Sequence, residues 1–423
     1  MAYNDRFNSK YFFYTDKQKE ILGRVFRYHR KNDCITPWEY LRVNKVCAPS
    51  TYKSVEKGVA KINYELYDNL MDLYGLEFLD NSKLENWIDD FVSRLYDACT
   101  TMDKARIELL ANEKEEKLLP YAKYVMFKEY YLAISLVLEH YNEDNYLNVN
   151  QIMHALDLVE IFEDGLKILL LEVMAISNNN SVFDYKLEIK IQDLIRVNKS
   201  NPIISFYHAS NLATKQFQGD EALKIHDGLI KYWSNEKNEY RVCKSLMGKL
   251  MIYRNLDKHK AEEIIHVIST KINHLKSNKD FTNNVNYNIG VFFYTIGKFD
   301  DAIIHFRKTL ENDLILPALF MLCLSCTYVD AKLPAELDNY DSDDTALCCY
   351  LEYFRKKKSE VNAIELENYI MSNMLPYLKK EEYEFPIWSF FEREILTLNQ
   401  ITRNYSKHRK YLAEMKKLEL LYV

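Results

Sequence analysis

Ser50, Thr51, Lys53, Ser54 and Lys57 lie within eight consecutive residues. Short hydroxyls and cations bond base edges and phosphates, so the chemistry open to this cluster is recognition of nucleic acid, not bond making. A second set is rich in tyrosine and asparagine: Tyr207, Asn211, Asn284, Tyr287 and Tyr294, with Leu246, Leu250, Tyr253, Val291 and Met321 at related positions. Asparagine offers a peptide backbone both a donor and an acceptor, and tyrosine offers an apolar ring with a polar tip. Catalysis has no comparable set, and no enzymatic activity is expected. The ten histidines are dispersed, with no HExxH. No phosphate-cradling or dinucleotide glycine motif occurs. Cys323 and Cys326 form a CxxC without a second pair at zinc spacing, and Cys348-Cys349 lacks ligand spacing, so no metal or cofactor is expected.

The first cluster needs a helix, and its sequence supplies one. In Ala48-Pro-Ser-Thr-Tyr-Lys-Ser-Val-Glu-Lys-Gly58, Pro49 suits a first helical position and Gly58 a helix end. Tyr52 and Val55, three apart, share the inner face and leave the hydroxyls and lysines outside. Upstream, Thr15 or Asp16 caps a helix to about Lys31 that buries Ile21, Leu22, Val25 and Phe26. Thr36-Pro37 opens a second helix carrying Trp38, Tyr40 and Leu41 and ending near Asn44. A fourth helix from about Asn63 buries Leu66, Leu70 and Leu73 before Gly75.

Composition narrows the rest. A chain of 423 residues requires more than one core or a repeat array. Only 9 Gly and 8 Pro are too few for the turns of a β-rich fold, so long helices on short connections are expected. Net charge is −6, but residues 1–61 carry 13 Lys/Arg against 6 Asp/Glu, a basic head on an acidic body. The N-terminus lacks the apolar core of a signal peptide. Leu166–Ile176, the most apolar stretch, is broken by Lys167 and Glu172 and reads as a buried helix, not a membrane span. Eight scattered cysteines are expected as free thiols in a reducing cytoplasm. The run Arg355–Lys358 reads as a solvated helix end.

From Asn81 amphipathic helices follow, with Leu84, Trp87, Ile88, Phe91, Leu95 and Tyr96 at helical spacing and a second run at 103–119. No Gly/Ser-rich break separates head from body, which favours mechanical coupling over a loose tether. The body repeats itself. Residues 283–312 hold Ile289-Gly290, Phe293, Gly297, Phe299, Ala302 and Phe306. Phe206, Ala209, Ser210, Ala213, Phe217 and Ala222 follow the same spacing, and residues 242–274 keep Gly248 and Ala261 as small positions. Further helix pairs are drawn at 121–160, 162–198, 343–378 and 386–420 on hydrophobic periodicity. Each pair leaves an apolar face to be covered by its neighbour, so the pairs must stack.

Two stretches resemble known families. Ser50-Thr-Tyr-Lys-Ser-Val-Glu-Lys-Gly58 looks like the end of the recognition helix of Xre/Cro-type repressors. That resemblance implies a helix-turn-helix whose Glu56 pairs with an arginine of the first helix, for which Arg24 and Arg27 are the candidates. The turn departs from the pattern at Val46, Cys47 and Ala48. Residues 283–310 resemble a tetratricopeptide repeat, with Asn286 and Leu314 as departures. Together they are similar to the peptide-sensing regulators of low-GC Gram-positive bacteria, the Rgg/Rap/NprR/PlcR/PrgX group. The expected fold is all-α: a helix-turn-helix domain at 1–78, linker helices or a first hairpin at 79–120, and a tetratricopeptide-like α-solenoid at 121–423. The solenoid is expected as a right-handed superhelix whose concave groove is lined by the first helix of each pair.

The resemblance implies a cytoplasmic homodimeric transcription regulator. Thr36, Ser50, Thr51, Lys53, Ser54 and Lys57 would meet double-stranded DNA. Tyr207, Asn211, Leu246, Leu250, Tyr253, Asn284, Tyr287, Val291, Tyr294 and Met321 would meet a short signalling peptide. The alternative is a Rap-like adaptor whose repeats hold a partner protein and whose head no longer reads bases.

Overall fold

The structure, a computed structural model, describes residues 14–32, 47–57, 64–143, 145–162, 164–180, 185–275, 278–311, 315–340, 345–378 and 385–419. Among them all regular structure is helical and no strand occurs. The chain divides into two compact units, Met1–Ile252 and Tyr253–Val423. Residues 79–120 therefore belong to the same unit as the head.

In the first unit, α1 (Asp16–Asn32), α2 (Pro49–Glu56) and α3 (Tyr64–Tyr74) form the head. Ile21, Leu22, Val25 and Phe26 are buried as their spacing requires, with Tyr52, Val55, Leu66, Tyr67 and Leu70. Gly75 ends α3 with φ +61°, the conformation glycine adopts at least cost. The expected helix from Thr36 to Asn44, with Trp38, Tyr40 and Leu41, lies outside the described residues, as do Val46 and Gly58.

Next come α4 (Ser82–Thr101) and α5 (Lys104–Lys117), capped by Asn81 and Asp103. The apolar face of α4 is buried through Leu84, Ile88, Phe91 and Leu95. Then α6 (Phe127–Glu143), α7 (Val149–Leu158), α8 (Asp164–Asn180), α9 (Tyr185–Val197), α10 (Pro202–Thr214) and α11 (Gly219–Asn235) follow in pairs, and α12 (Glu239–Leu256) runs across the boundary. No helix among the described residues is long and apolar enough to cross a membrane. Leu169, Leu170, Leu171, Val173 and Met174 are fully buried, so α8 is a core helix.

Polar contacts dock the head on the helices that follow it. Gln18 Nε2 donates to Glu85 (2.6 Å), Lys17 pairs with Asp89, Arg24 Nη1 donates to the Ile161 carbonyl (3.0 Å), and Lys31 pairs with Glu160 (2.6 Å).

The second unit holds α13 (Lys258–Lys271), α14 (Lys279–Thr295), α15 (Phe299–Leu310), α16 (Leu316–Tyr328), α17 (Thr345–Lys358), α18 (Ala363–Tyr369), α19 (Leu375–Leu378), α20 (Phe385–Thr402) and α21 (Tyr405–Glu419). A wide π-helical turn, Ile370–Met374, joins α18 to α19. α14 and α15 form a tight hairpin in which Gly290, Gly297, Phe299, Ala302 and Phe306 each have a physical task. Gly297 makes the turn at φ +79°. A Cβ on Gly290 would stand 2.6 Å from the Phe306 ring, so the two helices meet there only because the side chain is absent. Ala302 and Phe306 are fully buried, and Phe299 stacks on Tyr328 with centroids 4.2 Å apart.

In the α10–α11 pair Phe217 occupies the place of Gly297. It takes φ +55° and leaves its ring almost wholly exposed. The turn geometry is kept and the side chain is turned out.

The basic run on α17 is not simply solvated. Lys357 pairs with Glu394 (2.5 Å) and Lys358 with Asp338 (2.7 Å). Cys323 and Cys326 are buried free thiols on α16.

Candidate functional site

The outer face of α2 is built from the inside. Tyr52 and Val55 are fully buried, and the Tyr52 hydroxyl lies 2.7 Å from that of Tyr74 on α3. α1 crosses α2 at Gly23, where a Cβ would stand 2.0 Å from the Val55 carbonyl oxygen. Arg30 closes the crossing. Its Nε donates to Glu56 Oε1 (2.5 Å) and its Nη2 to Oε2 (3.1 Å), a two-bond fork on a carboxylate that is 9% exposed. The hydrogen bond from Glu56 leads the effects that push the Arg30 guanidinium above its ordinary range, against a smaller effect of burial.

The expected partners of Glu56 were Arg24 and Arg27, and the structure corrects this. Arg24 serves the Ile161 carbonyl and Arg27 faces Glu160 at 3.6 Å. Arg30, further along α1, takes the Glu56 carboxylate instead.

With the inner side so fixed, Ser50, Lys53 and Lys57 are exposed and Thr51 and Ser54 half-exposed. Ser54 Oγ donates to the Ser50 carbonyl (3.1 Å), holding the hydroxyl on the helix surface. Lys53 and Lys57 have no ion-pair partner among the described residues, so their charge is open to phosphate. The Ala48 cap offers no side-chain bond to the first turn, which leaves early N–H groups of α2 open. Thr36 lies outside the described residues.

The peptide-contact residues divide by burial. In the first unit Tyr207, Leu246 and Leu250 are buried and Asn211 is half-exposed. In the second, Tyr294 is buried, Asn284 is exposed, and Tyr253, Tyr287, Val291 and Met321 are half-exposed. Asn284 accepts from Asn288 Nδ2 (2.8 Å) along α14. Tyr287 leans on Phe306, with centroids 6.0 Å apart.

Tyr207 instead joins a buried charge cluster that the sequence reading did not single out. Glu172 on α8 is 1% exposed. It accepts from Arg241 Nη1 (2.6 Å) and Nη2 (2.9 Å), Lys244 Nζ (3.0 Å), Tyr141 (2.6 Å) and Tyr207 (2.9 Å). Arg241 Nε and Asn238 Nδ2 both donate to the Thr100 carbonyl at the end of α4 (3.0 and 3.1 Å). Burial opposes ionisation of Glu172, but Arg241 and Lys244 outweigh it and hold the carboxyl well below the usual range. The charges are satisfied from every side and enclosed, so the cluster is a structural tie across α4, α6, α8, α10 and α12. A lone glutamate inside an apolar run was its only sequence sign.

No protein-family model, no curated protein and no solved structure matches this chain.

Proposed function

We propose that this protein regulates transcription by binding double-stranded DNA with the outer face of α2, as a homodimer in the cytoplasm. On this reading the head is an Xre-type helix-turn-helix and the paired helices behind it are a tetratricopeptide-like array that takes a short signalling peptide. The observation that carries it is the two-sidedness of α2. Tyr52, Val55 and Glu56 are locked inward by α1 and α3, and Ser50, Thr51, Lys53, Ser54 and Lys57 face out with both lysines unpaired among the described residues. The Gly290–Phe306 approach and the Gly297 turn support the repeat reading. Asn211, Tyr253, Asn284, Tyr287, Val291 and Met321 are the more open positions for a peptide.

Fluorescence anisotropy on the duplex upstream of the protein's own gene, against scrambled duplex, tests the DNA part. Sequence-preferring binding that weakens steeply with salt is expected. Changing Lys53 and Lys57 together to Ala should lower affinity at least tenfold and the salt slope by about 2. Unchanged affinity in that double variant would rule this face out. A stable protein partner without duplex binding at low salt would favour the adaptor reading.

A further inference from the structure

The head has a core of its own. Leu22, Val25 and Phe26 of α1 are fully buried, as are Tyr52 and Val55 of α2 and Leu70 of α3, and α1 meets the backbone of α2 at Gly23. Its seat on the helices behind it is of another kind. The chain joins the two at residues 75–81, where the Glu77 carbonyl accepts from the Val125 N–H (2.8 Å) and the Phe78 ring lies on Tyr14 with centroids 4.8 Å apart. Away from that connection α1 reaches back through long polar side chains. Lys17 pairs with Asp89 and Gln18 donates to Glu85 (2.6 Å), both on α4. Arg24 donates to the Ile161 carbonyl (3.0 Å), and Arg27 (3.6 Å) and Lys31 (2.6 Å) share Glu160 just past α7.

These contacts are wet. A cleft of about 1020 Å³ runs beside them, lined by Lys17, Arg24 and Asp89 themselves and by further polar side chains such as Glu20, Ser93 and Asn198. Ile21 is the one apolar side chain that α1 gives to its lining. Lys17, Asp89, Arg27, Lys31 and Glu160 each keep between 43% and 53% of their side-chain surface. Ion pairs so exposed hold weakly and are screened by salt, whose Debye length falls from about 10 Å at 0.1 M to about 3 Å at 1 M. The apolar core of the head has no such dependence. The pairs are also spread along α1, from Lys17 to Lys31, about 21 Å by the helix rise. Together they fix one orientation of the head, and separately none is strong.

We propose that the head is a rigid piece latched by charge to the helices behind it, and that the latch opens as the ionic strength rises while the head stays folded. The connection at residues 75–81 is its hinge. Opening frees the cations of α1 to meet another anion. The device stands apart from the DNA reading, because it requires nothing of the outer face of α2.

Zero-length cross-linking of the full chain with a water-soluble carbodiimide reads the latch directly, because it joins a lysine to a carboxylate only where the two touch. Mass spectrometry should find Lys31–Glu160 and Lys17–Asp89 products at 50 mM NaCl. At 500 mM both should fall at least fivefold relative to the Lys298–Glu262 product, a pair of similar exposure (2.8 Å) within the second unit. Hydrogen exchange within α1 and α2 should be the same at both salts. Asp89→Lys should lower the Lys31–Glu160 product at least twofold at 50 mM, although that pair is untouched, and Lys17→Asp combined with Asp89→Lys should restore it. Head-to-body products that keep pace with the reference pair at 500 mM, or a Lys31–Glu160 product that Asp89→Lys leaves unaltered, would overturn the latch. Faster exchange within α1 at high salt would overturn the rigid head.

Discussion

Gly23 decides how close α1 and α2 stand. The atom facing its missing Cβ is the Val55 carbonyl oxygen, a backbone atom that cannot rotate away. Gly23→Ala gains about 1 kcal/mol of helix propensity. Overpacking against fixed backbone costs about 3 kcal/mol and wins. A net loss of about 2 kcal/mol is expected, read by calorimetry as a melting transition several degrees lower. A midpoint equal to or above that of the unchanged protein would refute the close crossing. A glycine in the middle of an amphipathic helix is visible in the sequence, and so were its neighbours Leu22 and Val25. What it faces was not, because that depends on the crossing of two helices far apart in the chain. The Arg30–Glu56 pair was half legible for the same reason: the glutamate and the first helix were found, and the choice among its arginines needed the crossing point.

Among the elements, α8 shows how a charge inside an apolar run is used. Leu166–Ile176 was read as a buried helix, and it is one; Glu172 looked like an interruption of it and is instead the centre of a tie between helices. Removing one member strands the others. Glu172→Gln leaves Arg241 and Lys244 facing a neutral amide in a buried site and should cost about 3–5 kcal/mol. Replacing Glu172 and Arg241 together by Leu should cost less than the two single changes added, because neither of the two most deeply buried charges is then left without the other and only the less buried Lys244 loses its carboxylate. Additive losses in a thermodynamic cycle would show that the pair is not coupled. Tyr207 was expected on an open groove wall, since periodicity identifies the side of α10 but not which neighbour covers it. The α14–α15 hairpin was legible almost residue by residue, because its contacts are local: Gly290 meets Phe306 within the repeat, and Phe299 meets Tyr328 on the next helix.

The two units share one device that ties stability to pH. His226 on α11 is 1% exposed, its ring against Phe206 and the Cα side of Gly248, and burial first, then Lys249, lower its pKa to about 4. His305 on α15, in the second unit, is lowered to about 4 by burial and by Lys308, with Nδ1 3.1 Å from Asn286 Oδ1. In the unfolded chain both regain an ordinary imidazole pKa of about 6.5. Between about pH 6.5 and 4 the unfolded state therefore holds protons that the folded state does not. Stability is full above pH 6.5 and falls as the pH drops towards 4. At pH 5 His226 alone should remove about 2 kcal/mol relative to pH 7. Buried carboxyls raised by desolvation, such as Glu129, act in the opposite sense, so the whole-chain pH profile mixes both. The informative measurement is the difference between pH 7 and pH 5 midpoints, taken in the unchanged protein and in His226→Leu. The variant removes the titrating group and should shrink that difference in the transition of the first unit. The transition of the second unit, where His305 remains, should keep its dependence. A first-unit pH difference that His226→Leu leaves unchanged would mean that this imidazole is not held neutral by its core.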